Sequence, residues 1–370
     1  MNQFWIVLTS TVAACLCSVA LMPVIIKLSH RRKWYDIPDN RKIHKGLIPR
    51  LGGVCMFSSV VAVSVLVSAV SLLLTGDRIF FQLRFLAVFA AFAIIHYTGL
   101  YDDFFNLRPL PKLVIQCMAG VVVAVGGFTV ETVSLPWLGT MSLGLLSYPL
   151  TVLWLVGISN ALNLMDGMDG LAGGIAAFAA ASMGTIALIQ GRPTTALLAF
   201  ILFGSIIGFL VFNFPPAKIF MGDSGSLFLG FALALLPLMG ISKAASFGTL
   251  IIPVTLLTVP IIDTLAAIIR RMRQGRSIIS PDKDHIHHKL LYMGLDERKI
   301  LLLIYGFCLY LSIVAITSVI LPKETNVYFI LVVWIGSLLG YYFLDILKER
   351  KTVAGEDENK RDKPKSSSAS

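Results

Sequence analysis

Five polar clusters stand out in this sequence, each built from residues able to hold a phosphate or a cation. His44-Lys45 with Pro49-Arg50 is the first, and Asp102-Asp103 the second. Asn160, Asn163, Asp166 and Asp169 recur every three residues and form the third. Asn213, Phe220 and the turn Gly222-Asp223-Ser224-Gly225 make the fourth, and His285-Ile286-His287-His288 the fifth. A site that sets carboxylates against phosphates needs a metal between them, most often Mg²⁺. On a helix, Asp102 and Asp103 would point ~100° apart, so different roles are expected for them. Asp166, Asp169 or Asp223 could instead cap a following helix. Capping would explain one residue of the third cluster but not all four. Three histidines within four residues suggest metal, phosphate or acid–base work. No cysteine is near enough to complete a zinc site, so phosphate contact is favoured. His30 and His96 read as ordinary residues. Asp263 lies seven residues before Arg270 and would either pair with it or support the site.

The elements that must position these clusters are membrane helices. Of 370 residues, 56% are apolar and only 14% charged, with a mean hydropathy of +0.81. A soluble chain of this size needs more polar surface, so lipid must be the solvent for most of it. The net charge of +10 would suggest nucleic acid in a soluble domain. Here the basic residues cluster between apolar runs, which points to topology and to anionic headgroups or phosphates. No nucleic-acid motif is present. Cys15, Cys17, Cys55, Cys117 and Cys308 lie in apolar segments without metal or redox spacing and read as packing residues. The first 26 residues carry no charge, so no cleavable signal peptide is expected.

Apolar runs near 4–26, 51–74, 81–100, 111–127, 146–162, 170–189, 194–212, 224–240, 246–269, 300–321 and 327–346 predict an all-α polytopic membrane protein with about eleven transmembrane helices. The fourth, fifth and eighth runs are short. Basic residues follow the first run, so the N-terminus is placed outside and the C-terminus in the cytoplasm. With that orientation, 26 of the 31 basic residues fall inside, as the positive-inside rule requires. All five polar clusters then lie on the cytoplasmic face. The even-numbered helices start there, with their amides and positive dipole ends facing the site. Pro109 and Pro111 suit the first turn of the fourth helix. Residues 128–145 read as an outside hairpin or loop. One transferase-sized domain covers 1–350, and the charged stretch 351–370 reads as a disordered cytoplasmic tail.

Other classes fit less well. Asp102-Asp103-Phe104-Phe105-Asn106 departs from the aspartate-rich prenyl-diphosphate motif at Asn106, and Asp166-Gly-Met-Asp169 lacks the Ala-Arg of CDP-alcohol phosphotransferases. The rhomboid-type protease pattern GxSG occurs at Gly222–Gly225, with His96 as its only intramembrane base, but it leaves the carboxylates unused. A transporter would place polar groups at the midplane between repeats rather than at one face.

Five stretches in order, DIPDNRKIHKGLIPRLGG (36–53), GLYDDFFNLRPLPKLVIQ (99–116), NALNLMDGMDGLAGG (160–174), FNFPPAKIFMGDSGSLFLGF (212–231) and PDKDHIHHKLL (281–291), resemble the polyprenyl-phosphate N-acetylhexosamine-1-phosphate transferases. The HIHH form and the eleven runs resemble the GlcNAc-1-phosphate branch more than the UDP-MurNAc-pentapeptide branch. The resemblance implies transfer of GlcNAc-1-phosphate from UDP-GlcNAc to undecaprenyl phosphate, starting a teichoic acid, O-antigen or common-antigen type polymer in the bacterial inner membrane. GalNAc, QuiNAc or another UDP-N-acetylhexosamine remains open as donor. It also implies Mg²⁺, replaceable by Mn²⁺, with Asp223 as its principal ligand and Asp102 and Asp103 beside it. Asp102 would deprotonate or position the lipid phosphate and Lys112 would hold it. Asn160, Asn163, Asp166, Asp169, Asn213 and Phe220 would line the uridine and sugar pocket. Lys45, His285, His287 and His288 would contact the diphosphate, His287 catalytically. The partners implied are the sugar nucleotide, the lipid acceptor and the bilayer, with no nucleic acid; a homodimer is the assembly allowed for.

Overall fold

The computed structural model describes residues 3–35, 48–135, 139–240, 250–277, 284–321 and 323–361. Lys45 and the tail residues 362–370 lie outside the described residues. The first helices are α1 (Gln3–Arg32), α2 (Gly52–Thr75), α3 (Leu83–Phe105) and α4 (Pro109–Val125). A short antiparallel hairpin follows, β1 (Thr132–Leu135) with β2 (Gly139–Ser142), pairing Thr132 with Ser142. It falls in the segment expected to be a hairpin or loop. Then come α5 (Ser147–Met165), α6 (Leu171–Ile189), α7 (Pro193–Asn213) and α8 (Gly222–Leu235). The last are α9 (Ile251–Leu256), α10 (Thr258–Arg273), α11 (Ile286–Tyr292), α12 (Glu297–Ile320) and α13 (Lys323–Arg361).

The fold is an all-α polytopic membrane protein. Over its described residues each expected apolar run coincides with helix, yet eight helices among the described residues are long and apolar enough to cross a membrane by themselves. α4 and α8 have 17 and 14 residues. They reach about 26 and 21 Å at 1.5 Å per residue, short of a ~30 Å hydrocarbon core. The ninth run is divided at Leu257 into α9 and α10. Pro260 has no N–H to offer the Leu256 carbonyl and its ring crowds it, which accompanies the break at Leu257. α13 continues past residue 350 to Arg361.

α8 is the hub. Every one of its residues except Asp223 is buried. A helix apolar on all sides belongs inside a bundle, and α2, α3 and α5 surround it. Lipid gives no hydrophobic drive between helices, so close approach depends on small residues and interhelical hydrogen bonds. A Cβ on Gly99 would strike the Asp223 backbone, and one on Gly53 the Gly225 backbone. Trp154 Nε1 donates to Ala234 O, and Ser159 Oγ to Leu227 O, both at 2.8 Å, tying α5 to α8. α1 and α7 run parallel, with Thr11 against Gly204 and Cys15 against Gly208. That pair of glycines four apart is a small-xxx-small seam.

Candidate active site

The last turn of α3 carries Asp102 and Asp103. The chain reverses at Asn106, whose φ of 49° is left-handed. Asp102 Oδ1 accepts the Leu107 N–H and so helps close this turn. Pro109 then starts α4 at a position where no N–H is required. Lys112 consequently faces back toward α3. Its Nζ donates to Asp102 Oδ2 at 2.8 Å and also to Asp223 Oδ2. One ammonium thus ties α3, α4 and α8 together. Asn163 Nδ2 completes the cluster from α5, reaching Asp223 Oδ1 at 3.1 Å and Ser226 Oγ at 2.8 Å.

Asp103 points elsewhere. Its two oxygens accept the Asp223 and Ser224 N–H groups at 2.7 and 3.0 Å. It satisfies the first amides of α8 and complements its positive end. The cap that Asp223 could have formed is thus supplied by a carboxylate from another helix, which leaves Asp223 free to face Lys112. Gly222 makes the approach feasible: its φ is +70°, and a Cβ there would lie 2.6 Å from Asp103 Oδ2. A neighbouring segment is stitched to the same corner. Phe220, half-buried, donates its N–H to Pro49 O at 2.8 Å and accepts from Gly52 N at 2.9 Å.

The third cluster divides. Asp166 ends α5 beside the carboxylates. Burial, then the charges of Asp223 and Asp103, push its carboxyl up to about 7, with Arg50 opposing. Asn160 turns toward α4, donating to Gln116 Oε1 at 2.6 Å and to Val156 O at 2.8 Å. Asp169 Oδ2 accepts from Ala217 N at 2.8 Å. Asn213 is buried and accepts from Gly170 N at 2.9 Å while donating to Ile219 O at 2.8 Å. Asp169 and Asn213 therefore shape the 214–221 loop that leads into α8. Gly170 precedes α6 and no side chain caps that helix, so neither Asp166 nor Asp169 caps it.

The histidines sit on α11 and its entry. His285 Nδ1 meets Asp263 Oδ2 at 2.6 Å, and Asp263 Oδ1 accepts Ile286 N at 2.8 Å and the Tyr341 hydroxyl at 3.1 Å. Asp263 supports the histidine element rather than pairing with Arg270. Lys289, 1% exposed, donates to Tyr341 OH at 2.9 Å and pairs with Asp345 at 2.6 Å. The far end of the chain thus clamps α11. His287 is 1% exposed, and neither ring nitrogen has a hydrogen-bond partner. It lies over Gly167, where a Cβ would be 2.7 Å from Nε2. Burial, then His288 and His285, hold its pKa down at about 3, so the ring is neutral. His288 packs on it with ring centres 4.2 Å apart.

Two groups thus emerge, Asp102-Lys112-Asp223-Asn163 and the histidines, bridged by the Asp166-Gly167 turn. Gln116, Tyr341, Asp345 and Lys289 are members that sequence reasoning missed. Gln116 carried a signal, one turn beyond Lys112 on the same face of α4. Its Nε2 is buried without a partner. Tyr341 lies within an apolar run and Asp345 near its end, and nothing local distinguishes them.

A divalent cation fits the carboxylate group. Asp102, Asp103, Asp166 and Asp223 outnumber the cations beside them; burial first, and then the charges of Asp223 and Asp103, hold the Asp166 carboxyl up. Asp103 is fixed on the α8 amides, whereas Asp223 and Asp102 already share one cation, the Lys112 ammonium, and are the residues that would hold the ion there. Among the described residues no three His, Cys, Asp or Glu side chains form a complete ligand set. The protease geometry is not present: His96 Nδ1 meets the Ser224 carbonyl oxygen at 3.1 Å, not its hydroxyl.

Fold and site together define a multi-helix membrane protein in which carboxylates, a lysine and histidines from separate helices gather around the Asp166-Gly167 turn. A family model described as glycosyl transferase family 4 matches residues 85–241. A probable undecaprenyl-phosphate N-acetylglucosaminyl 1-phosphate transferase of Bacillus subtilis is 36% identical over 331 residues, covering 89% of this chain and 90% of its own. A decaprenyl-phosphate N-acetylglucosaminephosphotransferase of Mycobacterium leprae is 36% identical, covering 78% and 77%. An undecaprenyl-phosphate alpha-N-acetylglucosaminyl 1-phosphate transferase of Escherichia coli K12 is 29% identical, covering 80% of each. The chain belongs to glycosyl transferase family 4, in the branch of the polyprenyl-phosphate N-acetylhexosamine-1-phosphate transferases.

Proposed function

We propose that this protein transfers GlcNAc-1-phosphate from UDP-GlcNAc to undecaprenyl phosphate, giving undecaprenyl diphosphate-GlcNAc and UMP, at the cytoplasmic face of the bacterial inner membrane. The observation that carries this is the Lys112 ammonium shared by Asp102 and Asp223 at the amide-rich start of α8. A lipid phosphate oxygen attacks the β-phosphorus of the donor. A new P–O bond forms, the bond from that phosphorus to the bridging oxygen breaks, and UMP leaves with the electron pair. Such transfer needs positioning and charge neutralisation more than covalent help from the protein. Lys112 holds the lipid phosphate. Asp102 has both oxygens engaged by donors, so it positions that phosphate through the Lys112 ammonium it orients. Mg²⁺, or Mn²⁺, held by Asp223 and Asp102 would neutralise the diphosphate and stabilise the leaving group.

Asn163 and Asp166 face the donor, with Asn160, Asp169, Asn213 and Phe220 framing its pocket. Neutral His287 offers an N–H to a phosphate oxygen, with His285, His288 and Lys45 around the diphosphate. The product would start a cell-envelope glycopolymer. Eleven crossings with the N-terminus outside and the C-terminus inside remain the proposed topology, α4, α8 and the α9–α10 pair counting as one crossing each. The test is purified protein in detergent with polyprenyl phosphate and a panel of UDP-sugars. UMP should appear only when lipid phosphate, metal and UDP-GlcNAc are all present. Full release after exhaustive chelation, or without lipid phosphate, would overturn the reading.

A further inference from the structure

A second basic feature lies apart from the carboxylate centre. The C-terminal end of α1, Phe212 at the end of α7 and Lys218 border an open cavity of about 790 Å³. Lys27 and Arg31, four apart on one face of α1, line it together with His30, and Lys218 enters from the 214–221 loop. Pro23 and Phe212 make part of its apolar wall. Among the described residues no carboxylate pairs with Lys27, Arg31 or Lys218. Among the described residues, three cations thus converge on one cavity without a carboxylate paired to them. α1 is one of the helices long and apolar enough to cross a membrane, and this is its end, where long basic side chains reach the headgroup layer. His30 is held by the Tyr35 hydroxyl at 3.1 Å from its Nδ1.

We propose that this cavity seats the phosphate of an anionic glycerophospholipid. The cations take the phosphodiester, and the acyl chains leave along the apolar wall. A basic pocket at the membrane edge of a helix bundle is the arrangement that binds such headgroups. Lys218 lies five residues before Asp223, on the loop that Asp169 and Asn213 shape, so the lipid would brace the segment leading to the carboxylate centre.

The test is native mass spectrometry of the full chain released from nanodiscs of phosphatidylcholine containing phosphatidylglycerol. One phosphatidylglycerol should stay bound to the wild type in preference to phosphatidylcholine. The variant Lys27→Gln/Arg31→Gln/Lys218→Gln should lose at least tenfold of that occupancy, and Lys27→Arg/Lys218→Arg should keep it. Inorganic phosphate in excess should not displace the lipid. The inference is overturned by equal retention of the two lipids, by wild-type occupancy in the triple variant, or by displacement with free phosphate. Displacement by polyprenyl phosphate at matched concentration would assign the seat to the acceptor and overturn it as well.

Discussion

Lys112 is the residue on which the site turns, because two carboxylates from different helices share its charge. Removing either charge leaves the other to hold the lysine alone. Asp223→Asn and Asp102→Asn should each leave a folded protein whose UMP release falls about a hundredfold or more. That follows from losing a preorganised electrostatic contact of ~2–4 kcal/mol in the transition state. His287→Ala should fall in the same range, and Ser224→Ala much less. A near wild-type rate for either aspartate variant would remove that residue's role. Asp166 permits a test without turnover. Its carboxyl stands at about 7 instead of its ordinary 3.8, so the folded state holds a proton that the unfolded state has lost. The resulting stability is present below about pH 3.8 and lost as pH rises through about 7. In chelated buffer, Asp166→Asn should flatten the fall of Tm across that window. Equal slopes in the two proteins would show that burial and Asp223 do not act on Asp166 as described.

At the scale of the element, α11 is too short to hold itself in place. Seven residues make under two turns, so its orientation comes from Asp263 on α10 and from Tyr341 and Asp345 on α13. Tyr341→Phe and Asp345→Asn should lower turnover roughly tenfold by loosening Lys289 and the histidine it steadies. Lys289→Arg should recover part of the loss of Lys289→Ala. Steady-state kinetics check this: unchanged kcat in both α13 variants would show that the clamp is dispensable. Proline and glycine set the other elements. Pro109 starts α4, and Pro260 lies in the first turn of α10, just after the break in the ninth apolar run. Gly204 and Gly208 let α1 and α7 touch, a spacing visible in the sequence but not its partner.

For the whole molecule, the parallel contact of α1 with α7 agrees with a chain that crosses back and forth between them. In a background without the native cysteines, Asn2→Cys should be labelled by an impermeant reagent from outside and Lys360→Cys only from inside. Labelling of both from one side would mean an even number of crossings. The short α8 survives in such a bundle because other helices enclose it almost completely, whereas α4 keeps one exposed apolar face with Leu110, Val114, Met118 and Val125 on it. Hydropathy measures apolarity and length, so it registered both runs but could not separate a buried hub from a lipid-facing span.

The sequence by itself determined the membrane class, the apolar runs that form the helices, and the polar clusters whose described members gather at one end of the bundle. Those follow from local properties: apolar length, charge placement, and the cost of burying carboxylates without a purpose. The 100° offset of Asp102 and Asp103 even foretold that they would face different partners. Only the tertiary structure decided which partners these were. That Asp103 caps α8, that Asn213 and Asp169 hold a loop, and that Tyr341 and Asp345 clamp the histidines depends on contacts between residues 43 to 121 positions apart. No local pattern encodes those contacts, because they arise from how helices pack and not from how each one forms.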